Sequence, residues 1–164
     1  MLSRNFASNL TNEKNPPAKQ AGFFIIPNIR IVGLALYFDS ALVISDVHIG
    51  YEEALNKQGI LVPRIQFQEI ISRMQDIFKL LKNKNEHIDR IIVNGDLKHE
   101  FGSISEQEWR NTLKFIDLLA KNCNEIMLIK GNHDSILGPI AKKRNIKVLE
   151  NFIIKINKFD KSNQ

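Results

Sequence analysis

The chain has 164 residues, of which 43% are hydrophobic and 25% charged, with a formal net charge of +5 and a sequence pI near 9.4. That length suits one domain with a proper core rather than two, and the apolar runs fall far short of the ~20 residues a membrane helix needs. The lone Cys123 offers no disulfide framework and no secretory leader pattern is evident, so a cytoplasmic protein with no membrane partner is expected.

Residues 1–20 are polar and aperiodic, with Asn9, Asn12, Asn15, Pro16 and Pro17, and are expected to form a disordered or loosely attached arm. That leaves 21–164 as the domain. Phe23–Ile26 reads as a strand stopped by Pro27, and Ile29–Phe38 alternates as a single strand. Asp39-Ser40 is a turn signal, which makes a hairpin with Ala41–Ser45. Tyr51–Gln58 looks helical with Gly59 as its C-cap. After Pro63, the 3.6-residue spacing of Phe67, Ile70, Ile71, Met74, Ile77, Phe78 and Leu81 predicts a longer helix, ended by Asn83-Lys84-Asn85. A strand at Ile91–Asn94 and a loop holding Gly102 follow. Ser105-Glu106-Gln107-Glu108 fits a capping box, with Ile104 and Trp109 as its hydrophobic staple, and opens a helix running to Ala120. Cys123 is expected to be a buried structural thiol. Ile126–Lys130 is a strand, Ser135–Arg144 a short helix, and Ile146–Leu149 and Phe152–Ile156 two further strands. The strand–helix alternation argues for an α/β domain with a parallel sheet and right-handed crossovers.

Three of these strands end in chemistry. Asp46-Val47-His48 closes Ala41–Ser45, Gly95-Asp96 closes Ile91–Asn94, and Gly131-Asn132-His133-Asp134 closes Ile126–Lys130. Ligands in open α/β sheets bind beyond the carboxyl ends of the strands. Each cluster alone also suits a turn. Together, so many polar groups at one sheet edge call for a counter-charge, and a divalent cation supplies it. Carboxylate, imidazole and amide oxygen suit Mn²⁺, Fe or Zn²⁺. A carboxylate able to bridge, as Asp96 is, can hold two metals roughly 3.5–4 Å apart and clamp a phosphoryl group. The basic residues are scattered, apart from Lys142-Lys143-Arg144, so charge alone points to solvated surface rather than a nucleic-acid footprint. His87 lies outside every cluster and is read as a surface residue.

The set Asp46-x-His48, Gly95-Asp96 and Gly131-Asn132-His133-Asp134 resembles the signature of calcineurin-like metallophosphoesterases. Ser45-Asp46-Val47-His48-Ile49-Gly50-Tyr51-Glu52 and Asn94-Gly95-Asp96-Leu97-Lys98-His99-Glu100-Phe101-Gly102 are similar to archaeal phosphoesterases related to SbcD-type nucleases. The similarity runs from about Phe23 to the end and includes Gln107-Glu108-Trp109-Arg110. This resemblance implies the N-terminal half of an αββα sandwich, with a mostly parallel central sheet flanked by helices. It implies a dinuclear hydrolase acting on a phosphodiester or monoester by attack of metal-bound hydroxide, with two divalent ions, Mn²⁺ first and Fe, Zn or Ni open. Asp46, His48, Asp96 and Asn132 would be metal ligands, with Asp96 bridging. His133 and His99 would be catalytic, facing the substrate, and Asp134 would orient its neighbours by hydrogen bonds.

The family pattern continues to a further metal-binding His and a Gly-His-x-His motif, whereas no histidine follows His133 here. The resemblance therefore implies an incomplete metallophosphoesterase domain over 21–164, expected to be a fragment, its site completed by a C-terminal segment or a partner chain. Two alternatives stand beside the phosphoesterase. One is a non-catalytic scaffold with the same fold. The other is a DNA nuclease of the SbcD-related kind, with nucleic acid as substrate.

Overall fold

The computed structural model describes residues 23–26, 28–101, 104–134 and 136–154. The arm expected over residues 1–20 and the loop around Gly102 lie outside them. In chain order the elements are β1 (Phe23–Ile26), β2 (Ile29–Val32), β3 (Ala35–Phe38), β4 (Ala41–Ile44), α1 (Tyr51–Lys57) and α2 (Gln66–Asn83). They continue with β5 (Arg90–Asn94), α3 (Glu106–Ala120), β6 (Glu125–Ile129), α4 (Gly138–Arg144) and β7 (Lys147–Leu149). The strands form one sheet in which spatial order equals chain order.

Strands β1 to β4 are an antiparallel meander, and β4 to β7 are parallel to one another. The single strand expected over Ile29–Phe38 is instead two, because Gly33 adopts a φ of 61° and turns the chain back on itself. Asp39 and Ser40, with φ of 44° and 57°, make the tight turn into β4, as their residue types suggest. Helix α2 carries its apolar stripe as expected, burying Met74, Ile77, Phe78 and Leu81. The second of the two C-terminal strands does not form over its described part: Asn151–Ile154 carry no strand, and Ile153 is 81% exposed.

Each parallel connection steps in the same direction across the sheet, and the right-handed rule for such crossovers places their helices on one face. Buried side chains of α2, α3 and α4 accordingly share one core with Leu42, Ile44, Ile91, Val93, Ile126 and Leu128. Val43, Ile92 and Met127, aligned in register, belong to the opposite face. Phe115 and Leu119 of α3 are fully buried in the helix-side core, a contribution of about 1.5–3 kcal/mol each. Cys123 is half-buried, and its thiol donates to the Leu119 and Glu125 carbonyls; burial pushes the thiol pKa up, as befits a structural residue. Among the described residues no helix is long and apolar enough to cross a membrane.

Candidate metal centre

The carboxyl ends of β4, β5 and β6 lie side by side, and backbone pairing continues past them. Asp46 N–H donates to the Gly95 carbonyl (3.2 Å), His48 N–H to Asp96 (2.9 Å) and Gly95 N–H to Ile129 (3.0 Å). To pair while turning, the chain adopts left-handed conformations at Asp46, His48 and Asp96, with φ of 52°, 47° and 49°. Asp and His tolerate this region better than bulky or β-branched residues do. Such conformations cost about 1–3 kcal/mol each and gather where a site needs them. The sequence therefore puts small polar residues at these corners for backbone reasons as well as chemical ones.

The outcome is convergence. One donor atom each from Asp46, His48 and Asp96 lies within 4.8 Å of the others, and so do donor atoms from His48, His99 and His133. Asn132 reaches the same place: its carboxamide oxygen faces the Asp96 carboxylate, and only with the amide turned over would its nitrogen donate there, at 3.0 and 3.2 Å. Oxygens gathered face to face are reconciled by a cation between them. The buried Nδ1 atoms of His48 and His99 have no hydrogen-bond partner among the described residues. Carboxylates, an imidazole, an outward amide oxygen and an unpartnered ring nitrogen fit a divalent ion.

His133 packs its ring against His99 (centroids 5.2 Å apart), His48 (4.9 Å) and Phe101 (3.8 Å). Its backbone N–H donates to Asp96 Oδ1 at 2.9 Å, tying the third loop to the middle one. Tyr51 meets the His99 ring edge-on at 4.8 Å. Burial lowers the His99 pKa, and the neighbouring His48 and His133 lower it further, so that His99 is a neutral imidazole at pH 7. Asp46 also lines a cavity of about 250 Å³ between β4 and α2, together with Gln66, Arg73 and Met74. His87 stands apart, exposed, beside Ser40 and Asp89.

Asp134 is 2% exposed and accepts N–H groups from Leu97 (3.3 Å), Lys98 (3.3 Å) and Gly131 (3.0 Å). One carboxylate thus clamps the loops after β5 and β6 together. Asp134→Asn replaces one acceptor oxygen by a donor and leaves a buried N–H unpaired. The expected loss is about 2 kcal/mol in unfolding free energy, read from the urea midpoint at constant m-value.

Several supports carry no mark in the sequence. Glu52 of α1 accepts N–H groups from Ile65 (3.1 Å) and Gln66 (2.9 Å), and so caps α2 in place of a local side chain. Gln66 in turn donates to the His48 carbonyl at 3.3 Å. Lys98 is fully buried and donates to the Glu100 carbonyl. Ser105 does cap α3, accepting from Glu108 N–H at 3.0 Å, but the Glu108 carboxylate turns away to His99 N–H (2.9 Å) and Glu100 N–H (3.1 Å). The expected capping box is therefore half formed, its acid diverted to the site. Burial pushes the Glu108 carboxyl pKa up, opposed by the Glu100 and His99 amides. Of the basic run, Arg144 is bound to Asp117, with its Nε 2.6 Å from Oδ1.

No curated protein matches the chain. Among solved structures it is similar to a nuclease MPE from Pseudomonas putida, at 22% identity and a TM-score of 0.48. The similarity covers 74% of this chain and 54% of that one, so the chain spans about half that protein's length. The family model for the calcineurin-like phosphoesterase domain matches residues 40–162, a stretch that begins at the β3–β4 turn and takes in every strand end described above. On that match, the chain belongs to the calcineurin-like phosphoesterase family.

Proposed function

We propose that this protein is a dinuclear metal-dependent phosphoesterase that hydrolyses a phosphodiester or monoester by in-line displacement. Membership of the family implies a hydrolase that works with divalent metal ions. The observation that carries the reading further is the meeting of Asp46, His48 and Asp96 donor atoms within 4.8 Å at the ends of parallel strands. Asp46, His48 and Asp96 would hold one cation, and Asp96 with Asn132 a second. Mn²⁺ is the preferred ion for so oxygen-rich a set. When bound, such a pair supplies Lewis acidity toward phosphoryl oxygens and lowers the pKa of a bound water.

The chain's own groups do the rest. His133 is assigned to the phosphoryl group, where its ring stabilises developing charge or protonates the leaving oxygen. His99, neutral beside it, serves as a polar contact to the ester. Asp134 holds the loops that carry Asp96 and His133 at fixed spacing.

Calorimetry with Mn²⁺ on this chain, and hydrolysis of a nitrophenyl phosphodiester by a chain carrying the complete domain, test this reading; the 164 residues alone are expected to show little or no turnover. Saturable Mn²⁺ binding is expected. His133→Ala should keep that binding while lowering hydrolysis by about 10²–10⁴-fold, the span of a general-acid contribution. No heat of binding even at millimolar Mn²⁺ would sink the proposal. That outcome would favour the non-catalytic scaffold, which keeps the fold without the metals. Cleavage of DNA ends in preference to the small ester would favour the nuclease.

A further inference from the structure

Glu108 is 1% exposed, and nothing in the proposed chemistry uses it. Burying a carboxylate is costly unless particular donors meet it. Here Oε1 accepts the N–H of His99 at 2.9 Å and of Glu100 at 3.1 Å, while Oε2 is buried without a partner among the described residues. The His99 N–H is shared with the Ile49 carbonyl (3.0 Å), whereas the Glu100 N–H donates to Glu108. Gly50, at a φ of 98°, leaves room for the carboxylate, since a Cβ there would stand 3.0 Å from Glu108 Cδ. The helix start, the glycine and the acid are thus fitted to one another.

The Glu100 N–H and the His99 C=O belong to the same peptide group. On the oxygen side of that group sits Nδ1 of His133, within hydrogen-bond distance of the His99 carbonyl. A carbonyl oxygen carries no proton, so Nδ1 must be the donor, and in any uncharged imidazole the second nitrogen is then an acceptor. A carboxylate on the N–H side polarises the peptide and makes its oxygen a better acceptor. We propose that Glu108 is a positioning residue for His133, acting through the His99–Glu100 peptide group to fix the ring in its Nδ1–H form with Nε2 free. A working histidine is commonly oriented by a carboxylate or a backbone carbonyl bonded to the ring itself. Here the carboxylate acts one peptide away, from the first turn of a different helix. The significance for catalysis rests on the phosphoesterase reading; the geometry does not.

The test is ¹⁵N NMR of the histidine rings in the full chain, free of metal and substrate, at a fixed pH where the rings are neutral. The wild type is expected to show His133 in the Nδ1–H form and the Glu100 amide proton shifted downfield by its carboxyl acceptor. Glu108→Ala should shift His133 toward the Nε2–H form while the exposed His87 stays unchanged as an internal control. Glu108→Gln keeps an oxygen acceptor, and should largely restore the Nδ1–H form while moving the Glu100 amide proton upfield. A wild-type His133 in the Nε2–H form would overturn the proposal, as would an unchanged His133 in folded Glu108→Ala. Should that variant not fold, Glu108→Gln decides alone, and a Glu100 amide that does not move overturns the proposal. Because no turnover is read, failure here is distinct from failure of the phosphoesterase reading.

Discussion

Asp96→Asn is expected to weaken Mn²⁺ binding by more than about 100-fold, beyond the range typical of groups that only support a ligand, and to abolish metal-dependent hydrolysis. The substitution changes little else. Asn tolerates the left-handed backbone that Asp96 adopts at φ 49°, and its side-chain oxygen can still accept the His133 N–H now bonded at 2.9 Å. What goes is one negative charge and one of the two carboxylate oxygens that could hold a cation. With donor atoms of Asp46 and Asp96 within 4.8 Å of each other, the metal-free protein also loses a repulsion between carboxylates. Its melting temperature should therefore hold or rise, as expected where a site trades stability for function. A ligand at 100 times its Kd stabilises the folded state by about 2.7 kcal/mol, so the wild type should show a clear Mn²⁺-induced thermal shift and the variant none. Equal shifts in the two proteins would remove Asp96 from the metal centre.

The topology explains how much of this is legible in the sequence. Parallel strands buried on both faces are written as short unbroken apolar runs, and Ile91–Val93 and Ile126–Leu128 are such runs. Their ends are marked by residues that suit a left-handed turn, and because spatial order follows chain order, three successive clusters fall on adjacent strands. The core stripes of α2 and α3 were legible for the same reason, since one buried face imposes one period. The split of Ile29–Phe38 was not, because alternation continues across a turn whose only sign is Gly33. Glu108 and Lys98 were hidden for a deeper reason. A capping acid and a loop lysine look solvated in a sequence, and their burial depends on where Gly50, His99 and Glu100 arrive in space. The same holds for Glu52, which caps a helix other than its own. Local pattern thus reveals which residues end the strands, whereas the carboxylates that hold those ends together are set by tertiary contact.

Gly131→Ala tests whether that spacing matters as much as the ligands do. Gly131 is not among the residues with positive φ, so an alanine there meets no conformational penalty. It meets Asp96 instead: a Cβ would stand 2.2 Å from Oδ1, 2.3 Å from the backbone nitrogen and 2.8 Å from Cγ. A flexible side chain could swing away, but the backbone nitrogen is fixed between β5 and the loop pairing with His48. The two strand ends must therefore move apart, against the Asp134 bonds to Leu97, Lys98 and Gly131. The expected cost is about 3 kcal/mol, the upper end for adding one methyl group to a packed site, read as a lowered urea midpoint. Gly95, where a Cβ would come no closer than 3.4 Å to Gly131 Cα but φ is 84°, makes the contrast: its replacement strains the backbone without entering the Asp96 carboxylate. Mn²⁺ affinity in Gly131→Ala should fall about as far as in Asp96→Asn. In the double variant the two losses should not add, because neighbours sharing one function couple strongly. Full additivity, or wild-type Mn²⁺ affinity in Gly131→Ala, would mean that the close approach of the second and third strand ends is incidental to the metal centre.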